Sequence, residues 1–175
     1  MRRRTLLSGA LGALLLGLTG CGYALVGRGA NIPEDVRSVY LQPLENRTQR
    51  SQVEQALTRS IADELVTRQR FAVVGSAAEA TAEILGAVTG FGVTPVTFDA
   101  EGRATEYEIS ITAQITFKRV GAEGAVLWKS DRYTFRENYP VDPSAADYFD
   151  REDQAIEEAA KRFAETLVTN LLEGF

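Results

Sequence analysis

Cysteine and histidine are the side chains that most often mark a reactive site, and this 175-residue chain has one cysteine, Cys21, and no histidine. Histidine-based triads, most zinc sites and the usual general bases are thereby excluded. Any acid–base chemistry has to come from carboxylates. Glu106 and Glu108 would share one face of a strand, about 7 Å apart at Cα, a spacing that a glycoside hydrolase can use. Paired glutamates at a strand edge are also common as plain surface charge, and no pocket signature accompanies these two. No cofactor is implied.

The chemistry of Cys21 depends on what precedes it. Arg2, Arg3 and Arg4 are followed by an uncharged apolar stretch from Leu6 to Leu18, which ends in Leu18-Thr19-Gly20-Cys21. The stretch is short for a membrane-spanning helix, which needs about 20 apolar residues, but it suits the core of a signal peptide. Its last four residues resemble the bacterial lipobox: an apolar residue, two small ones that let a peptidase close on the backbone, and a cysteine whose sulfur takes diacylglycerol. Residues 1–20 are therefore expected to be a lipoprotein signal peptide, with lipid on Cys21. An ordinary secretory signal that leaves Cys21 free is the alternative. Each buried CH₂ of an acyl chain adds roughly 0.8 kcal/mol, so two or more chains anchor stably. Gly22 stands where an aspartate would favour retention in the inner membrane, which points to an outer-membrane, periplasm-facing lipoprotein. Once lipidated, the only cysteine leaves no thiol for a disulfide or a nucleophile.

The whole chain has 19 basic and 24 acidic residues; loss of the three arginines of the signal leaves 16 against 24, a formal charge of −8. Such an acidic domain is a poor nucleic-acid binder, because that affinity comes from neutralising phosphates. Residues 21–35 read as an irregular lead-in, and residues 36–175 suit a single domain with one core.

Within that domain, Val36 to Leu44 reads as a first strand ended by Pro43, and Glu45-Asn46-Arg47-Thr48 as a polar turn. Ser51 and Glu54 have the spacing of a capping box at the start of a helix. Val53, Leu57, Ile61 and Leu65 then recur every four residues and give the helix one apolar face. Phe71 to Val74 is a short apolar run that could pair with the first strand as a βαβ unit. Ile84 to Phe98 is a longer strand weakened by Gly86, Gly90, Gly92 and Pro95. Asp99-Ala100-Glu101-Gly102 marks a turn. Tyr107, Ile109, Ile111, Ala113, Ile115 and Phe117 then alternate with polar residues, the pattern of a strand with one buried and one wet face. Gly121-Ala122-Glu123-Gly124 turns the chain into Ala125 to Tyr139, with Trp128, Tyr133 and Phe135, so the three long strands form an antiparallel meander. A last helix begins between Ser144 and Asp150, with Ile156, Ala160, Phe163, Leu167 and Leu171 as its apolar stripe. Two stripes and one apolar sheet face are satisfied together in an α+β fold: two helices packed on one face of a four- to five-stranded mixed, mostly antiparallel sheet.

Several of these segments together resemble the lipopolysaccharide-assembly lipoproteins of the LptE family. They are Cys21-Gly22-Tyr23-Ala24-Leu25 and the Val39-Tyr40-Leu41-Gln42-Pro43-Leu44-Glu45-Asn46 strand and turn. Gly102 to Tyr107 with the alternating strand behind it, and the Val126-Leu127-Trp128 hairpin return, complete the set. The resemblance implies a protein without enzymatic activity that sits in the lumen of a large outer-membrane β-barrel of the LptD type. There it plugs the barrel, helps it assemble, and assists insertion of lipopolysaccharide into the outer leaflet. It also implies basic residues near the loop before the alternating strand and near the last helix that meet lipopolysaccharide phosphates; here these are Arg103, Arg136 and Arg151. Another periplasm-facing envelope lipoprotein of pilotin type shares the opening strand and helix and stays open as the alternative. Trp128, Tyr133 and Phe135 are expected in the core, with one of them available as an anchor for a partner.

Overall fold

The period-two segment in the middle of the chain becomes an interior strand of the sheet, one in from its edge. The computed structural model describes residues 32–121, 124–141 and 148–174, and for 148–151 the backbone alone. The strands are β1 Ser38–Leu41, β2 Glu45–Asn46, β3 Ala72–Val74, β4 Ala82–Phe98, β5 Ala104–Arg119 and β6 Val126–Pro140; the helices are α1 Val53–Arg68 and α2 Tyr148–Glu173. Strand order is β3-β1-β4-β5-β6, and the two-residue β2 pairs with β4 beyond the end of β1. β1 runs parallel to β3 and β4, whereas β4, β5 and β6 are antiparallel. The expected fold class holds, with β2 as a sixth strand.

On β5, Ile109, Ile111, Ala113 and Ile115 are wholly buried and Phe117 nearly so. Both helices cover that face. α1 contributes Val53, Leu57, Ile61 and Leu65, and α2 contributes Ile156, Phe163, Leu167 and Leu171. Each such side chain is worth about 1.5–3 kcal/mol of transfer free energy. The helices lie side by side and parallel, laced by Arg50 to Glu152, Arg59 to Glu157 and Arg68 to Thr169. Trp128, Tyr133 and Phe135 do belong to the core side: the rings of Tyr133 and Phe135 meet Phe163 edge-on at 5.3 and 6.0 Å. Burial pushes the Tyr133 hydroxyl above the ordinary tyrosine range, although Asn170 donates to it at 3.1 Å.

Three local expectations change. Glu45-Asn46 is not a free turn but a short parallel strand on β4. The capping box of Ser51 and Glu54 does not form: α1 begins at Val53, after Gln52 in a left-handed conformation with φ 66°, and has no side-chain cap. Asn46 takes the glutamate instead. Its Nδ2 donates to Glu54 Oε2 at 2.7 Å and to the Arg50 carbonyl at 2.8 Å, while its Oδ1 accepts from the Thr48 amide at 2.8 Å. Finally, the glycines expected to weaken β4 leave it running from Ala82 to Phe98. Gly86 is required where it stands, because a Cβ there would lie 2.1 Å from the Gln114 carbonyl oxygen and 2.9 Å from Ile115 Cδ1.

The described chain enters at the end of the sheet where β1 begins, held by the Arg119–Asp35 ion pair at 2.6 Å. The β4–β5 hairpin points the other way. At about 3.3 Å per residue, the 17 residues of β4 carry its tip roughly 50 Å from that entry. Residues 1–31, with Cys21 and most of the lead-in, and residues 142–147, with Pro143 and the expected cap region at Ser144, lie outside the described residues.

Candidate functional site

The helices leave the other face of the β4–β5–β6 meander uncovered, and alternation decides what it displays. Down the centre of β5 stand Glu106, Glu108, Ser110, Thr112, Gln114, Thr116 and Lys118, because every odd neighbour from Tyr107 to Phe117 is committed to the core side. The register places Thr134, Arg136 and Asn138 of β6 beside Thr112, Ser110 and Glu108. On the other flank it sets Gly90, Gly92 and Thr94 of β4 beside Thr112, Ser110 and Glu108. Hydroxyls and amides dominate. Thr112 and Thr134 are within 3.4 Å of each other, and Arg47 reaches Gln114 at 3.5 Å from the loop after β2.

Of the residues singled out from the sequence, Arg136 lies on this face, 66% exposed at its side chain, with Nε 3.7 Å from Glu108. That separation is a loose ion pair in solvent, of the kind worth less than about 1 kcal/mol. Arg103 is elsewhere. It sits in the hairpin tip, seven residues along the chain and so about 23 Å from the Ser110 position that faces Arg136. Its guanidinium and amide both bond Asp99, at 2.8 Å each, and Glu101 adds its own amide to the same carboxylate at 3.0 Å. The Arg103 amide, then its guanidinium and the Glu101 amide, hold the Asp99 carboxyl below the ordinary aspartate range against an opposing effect of burial. Gly102, with φ 79°, closes the turn. The structure therefore does not gather Arg103 and Arg136 into one cluster. The side chain of Arg151 and the whole of Cys21 are outside the described residues.

Glu106 and Glu108 do share a face, but an open one. Glu106 accepts from the Thr97 hydroxyl at 2.7 Å, and Glu108 faces Arg136. Among the described residues no group of three metal-binding side chains occurs. A concavity lies on the helix side, a cleft of about 510 Å³ between the start of α1 and α2, lined by Arg50, Gln52, Asp153, Glu158 and Lys161. Arg47, Thr134 and Asn138 of the polar face were not singled out from the sequence. For Thr134 and Asn138 the signal was the alternation of β6, which its charged residues obscure; for Arg47, in the loop after β2, no periodicity gives one.

The family model described as LptE, lipopolysaccharide-assembly, matches residues 36–171. The chain belongs to the LptE family. Its role accordingly lies in lipopolysaccharide assembly, as a lipoprotein associated with the lipopolysaccharide transport machinery. No curated protein matches the sequence. Among solved structures, the rare lipoprotein B from Shewanella oneidensis is similar at a TM-score of 0.51 and 16% identity, over 79% of this chain and 92% of that one. The protein CT253 from Chlamydia trachomatis is similar at a TM-score of 0.56 and 10% identity, over 79% and 96%. At these identities the likeness is one of fold. The LptE assignment extends the likeness seen in the Gly102 to Tyr107 and Val126 to Trp128 segments across the whole domain.

Proposed function

We propose that this LptE-family protein is an outer-membrane lipoprotein, tethered through Cys21, that plugs and helps assemble the β-barrel of the lipopolysaccharide translocon. In that position it assists insertion of lipopolysaccharide into the outer leaflet. The observation that carries the reading is the uncovered meander face, three strands wide and rich in Ser, Thr, Asn and Gln. A barrel lumen is lined by alternating polar side chains and water, and a hydroxyl-rich face can exchange hydrogen bonds with such a wall through water at little cost. The tether fits the geometry, since the described chain enters at one end of the sheet and the hairpin tip reaches away from it.

The reading is of a binding component without a catalytic reaction: the Glu106 and Glu108 carboxylates are met by Thr97 and Arg136 on an open face. For contact with lipopolysaccharide phosphates, Arg136 is the better placed of the arginines, because a loose pair with Glu108 is released more easily than the doubly bonded Arg103.

Affinity purification of the tagged full chain from detergent-solubilised envelopes tests the reading. A large β-barrel protein should accompany it, and depletion of the chain should lower lipopolysaccharide at the cell surface. Recovery of a different envelope partner with no barrel, or normal surface lipopolysaccharide after depletion, would overturn it in favour of a pilotin-type role.

A further inference from the structure

An open sheet has two edges, and this one treats them differently. The β6 edge is guarded: Lys129, Asp131, Arg132, Arg136 and Glu137 line it, and the register slips between Ser130 and Tyr133. Charges and bulges of this kind keep an edge from pairing with foreign strands. The other long edge belongs to the upper half of β4. β1 pairs with β4 only as far as Ile84 and β2 only as far as Val88, so from Gly90 to Phe98 no described strand lies beside it. From Leu85 to Phe98 there is not one charged residue, and Val96 and Phe98 are 44% and 56% exposed. Register shifts at Val88/Gly90 and between Pro95 and Phe98 bound it, which leaves Gly90 to Pro95 as a regular, uncharged edge of the kind that folded proteins normally remove.

Which backbone groups it offers follows from the pleat. Ile84 and Val88 face the helices and turn their carbonyls away from β5, where they accept from the Gln42 and Arg47 amides at 2.9 Å each. Residues on the same face of a strand turn their N–H and C=O to the same side. Phe91, Val93 and Pro95 occupy that face, opposite Ile111, Ile109 and Tyr107. Phe91 and Val93 therefore present a donor and an acceptor each to the open side, and Pro95 an acceptor alone. A proline is tolerated in a strand where its missing N–H points outward, which is its position here. The row stops at Pro95 as a donor, so the usable site is short.

We infer that the β4 edge from Gly90 to Pro95 is a docking site for an extended, uncharged segment of a partner polypeptide, which adds to the sheet as a further strand. This is β-augmentation: main-chain bonds give the affinity, and the pockets beside alternate side chains select the sequence. Two features fix the occupant. The edge strand itself carries no charged residue. Arg50, the cation 5.9 Å from the Phe91 ring centre, is already paired with Glu152 and Asp153, so a charged strand would find no free counter-charge there among the described residues. A contact of about five residues is also far below the roughly 1,200 Å² of a stable interface between two folded proteins. A second copy held by this edge alone would fall apart, whereas a segment of a partner already held nearby binds at high effective concentration. The partner of the proposed function, a barrel around this domain, supplies that condition, and to that extent the inference rests on the earlier reading.

Two measurements test it, both on the full chain. In the detergent-solubilised protein without partner, the Phe91 and Val93 amides should exchange with deuterium at least tenfold faster than those of Gly92 and Thr94, which face β5. Equal protection would show the edge already covered and overturn the inference. In cells, a photo-crosslinking residue at Val96 should capture the partner polypeptide. Val93→Pro, which removes the central donor, should cut that capture at least tenfold, and Val93→Thr should retain it. If Val93→Pro unfolds the protein, Thr94→Lys combined with Val96→Lys guards the edge from exposed positions, and co-purification of the partner should fall by a similar factor. A crosslink to a second copy, or capture indifferent to these changes, overturns the inference. Barrel co-purification without a Val96 crosslink rejects the edge and leaves the plug standing. A Val93-dependent crosslink to a polypeptide that is not a barrel does the reverse.

Discussion

At the scale of single residues, Asp99 shows how a charge can be spent locally. Its carboxylate holds the hairpin tip by accepting from two amides and the Arg103 guanidinium. Because its folded pKa is depressed, the contribution to tip order is complete above the ordinary aspartate value of about 4 and is lost as pH falls through the lower folded value. Amide exchange of residues 99–103 followed from pH 6 downward should show the tip loosening only at the acidic end, and Asp99→Asn should loosen it at every pH. The same lock bears on lipopolysaccharide binding. Arg136→Glu should reduce lipopolysaccharide recovered with the purified protein several-fold, and Arg103→Glu should reduce it less. The opposite order would return the phosphate contact to the hairpin tip.

At the scale of elements, the β4–β5 pair and the α2 stripe bear most of the packing. Gly86→Ala forces a methyl group into the Gln114 carbonyl. Overpacking of this kind costs typically 1–3 kcal/mol, so the melting temperature should fall by about 5–10 °C, while Gly75→Ala, with nothing within 4 Å of the added carbon, should leave it nearly unchanged. Phe163 is fully buried between Tyr133 and Phe135. Phe163→Ala should cost about 3–5 kcal/mol in a urea titration, through the cavity it leaves between α2 and β6. Arg50 works differently. It ties the start of α1 to Glu152 and Asp153 at 2.8 and 2.9 Å and lies 5.9 Å from the Phe91 ring centre, but its side chain is 36% exposed, and Arg50→Ala should cost only about 1 kcal/mol.

At the scale of the whole molecule, the lipid proposed at Cys21, a domain about 50 Å long and a polar face along that length make a body suited to a wall on one side and a membrane at one end. Cys21→Ala should release the protein from the membrane fraction without changing its melting temperature, because the tether lies outside the packed residues 36–171 that carry the family's pattern. Ile32 of the lead-in already packs against the core; loss of folding along with loss of anchorage would mean that residues nearer Cys21 do so too.

What the sequence determined by itself was whatever depends on periodicity and on order along the chain. The odd residues of β5 had to be buried together, because their period of two leaves no other arrangement. The stripes of α1 and α2 had to cover that face, and the lipobox-like Leu18 to Cys21 and the absence of histidine narrowed the chemistry to be expected. Tertiary structure decided whatever depends on which partner wins a contested group. Glu54 could have capped α1 from within, but Asn46 reaches it from β2. Arg103 looked like a free cation for phosphate until the turn brought Asp99 against it. The β4 edge is the clearest case: Leu85 to Phe98 reads as an uncharged strand either way, and only the early ends of β1 and β2 leave its upper half unpaired. Hydrogen-bond partners far apart in sequence are chosen by the assembled sheet, and no local pattern in the chain records that choice.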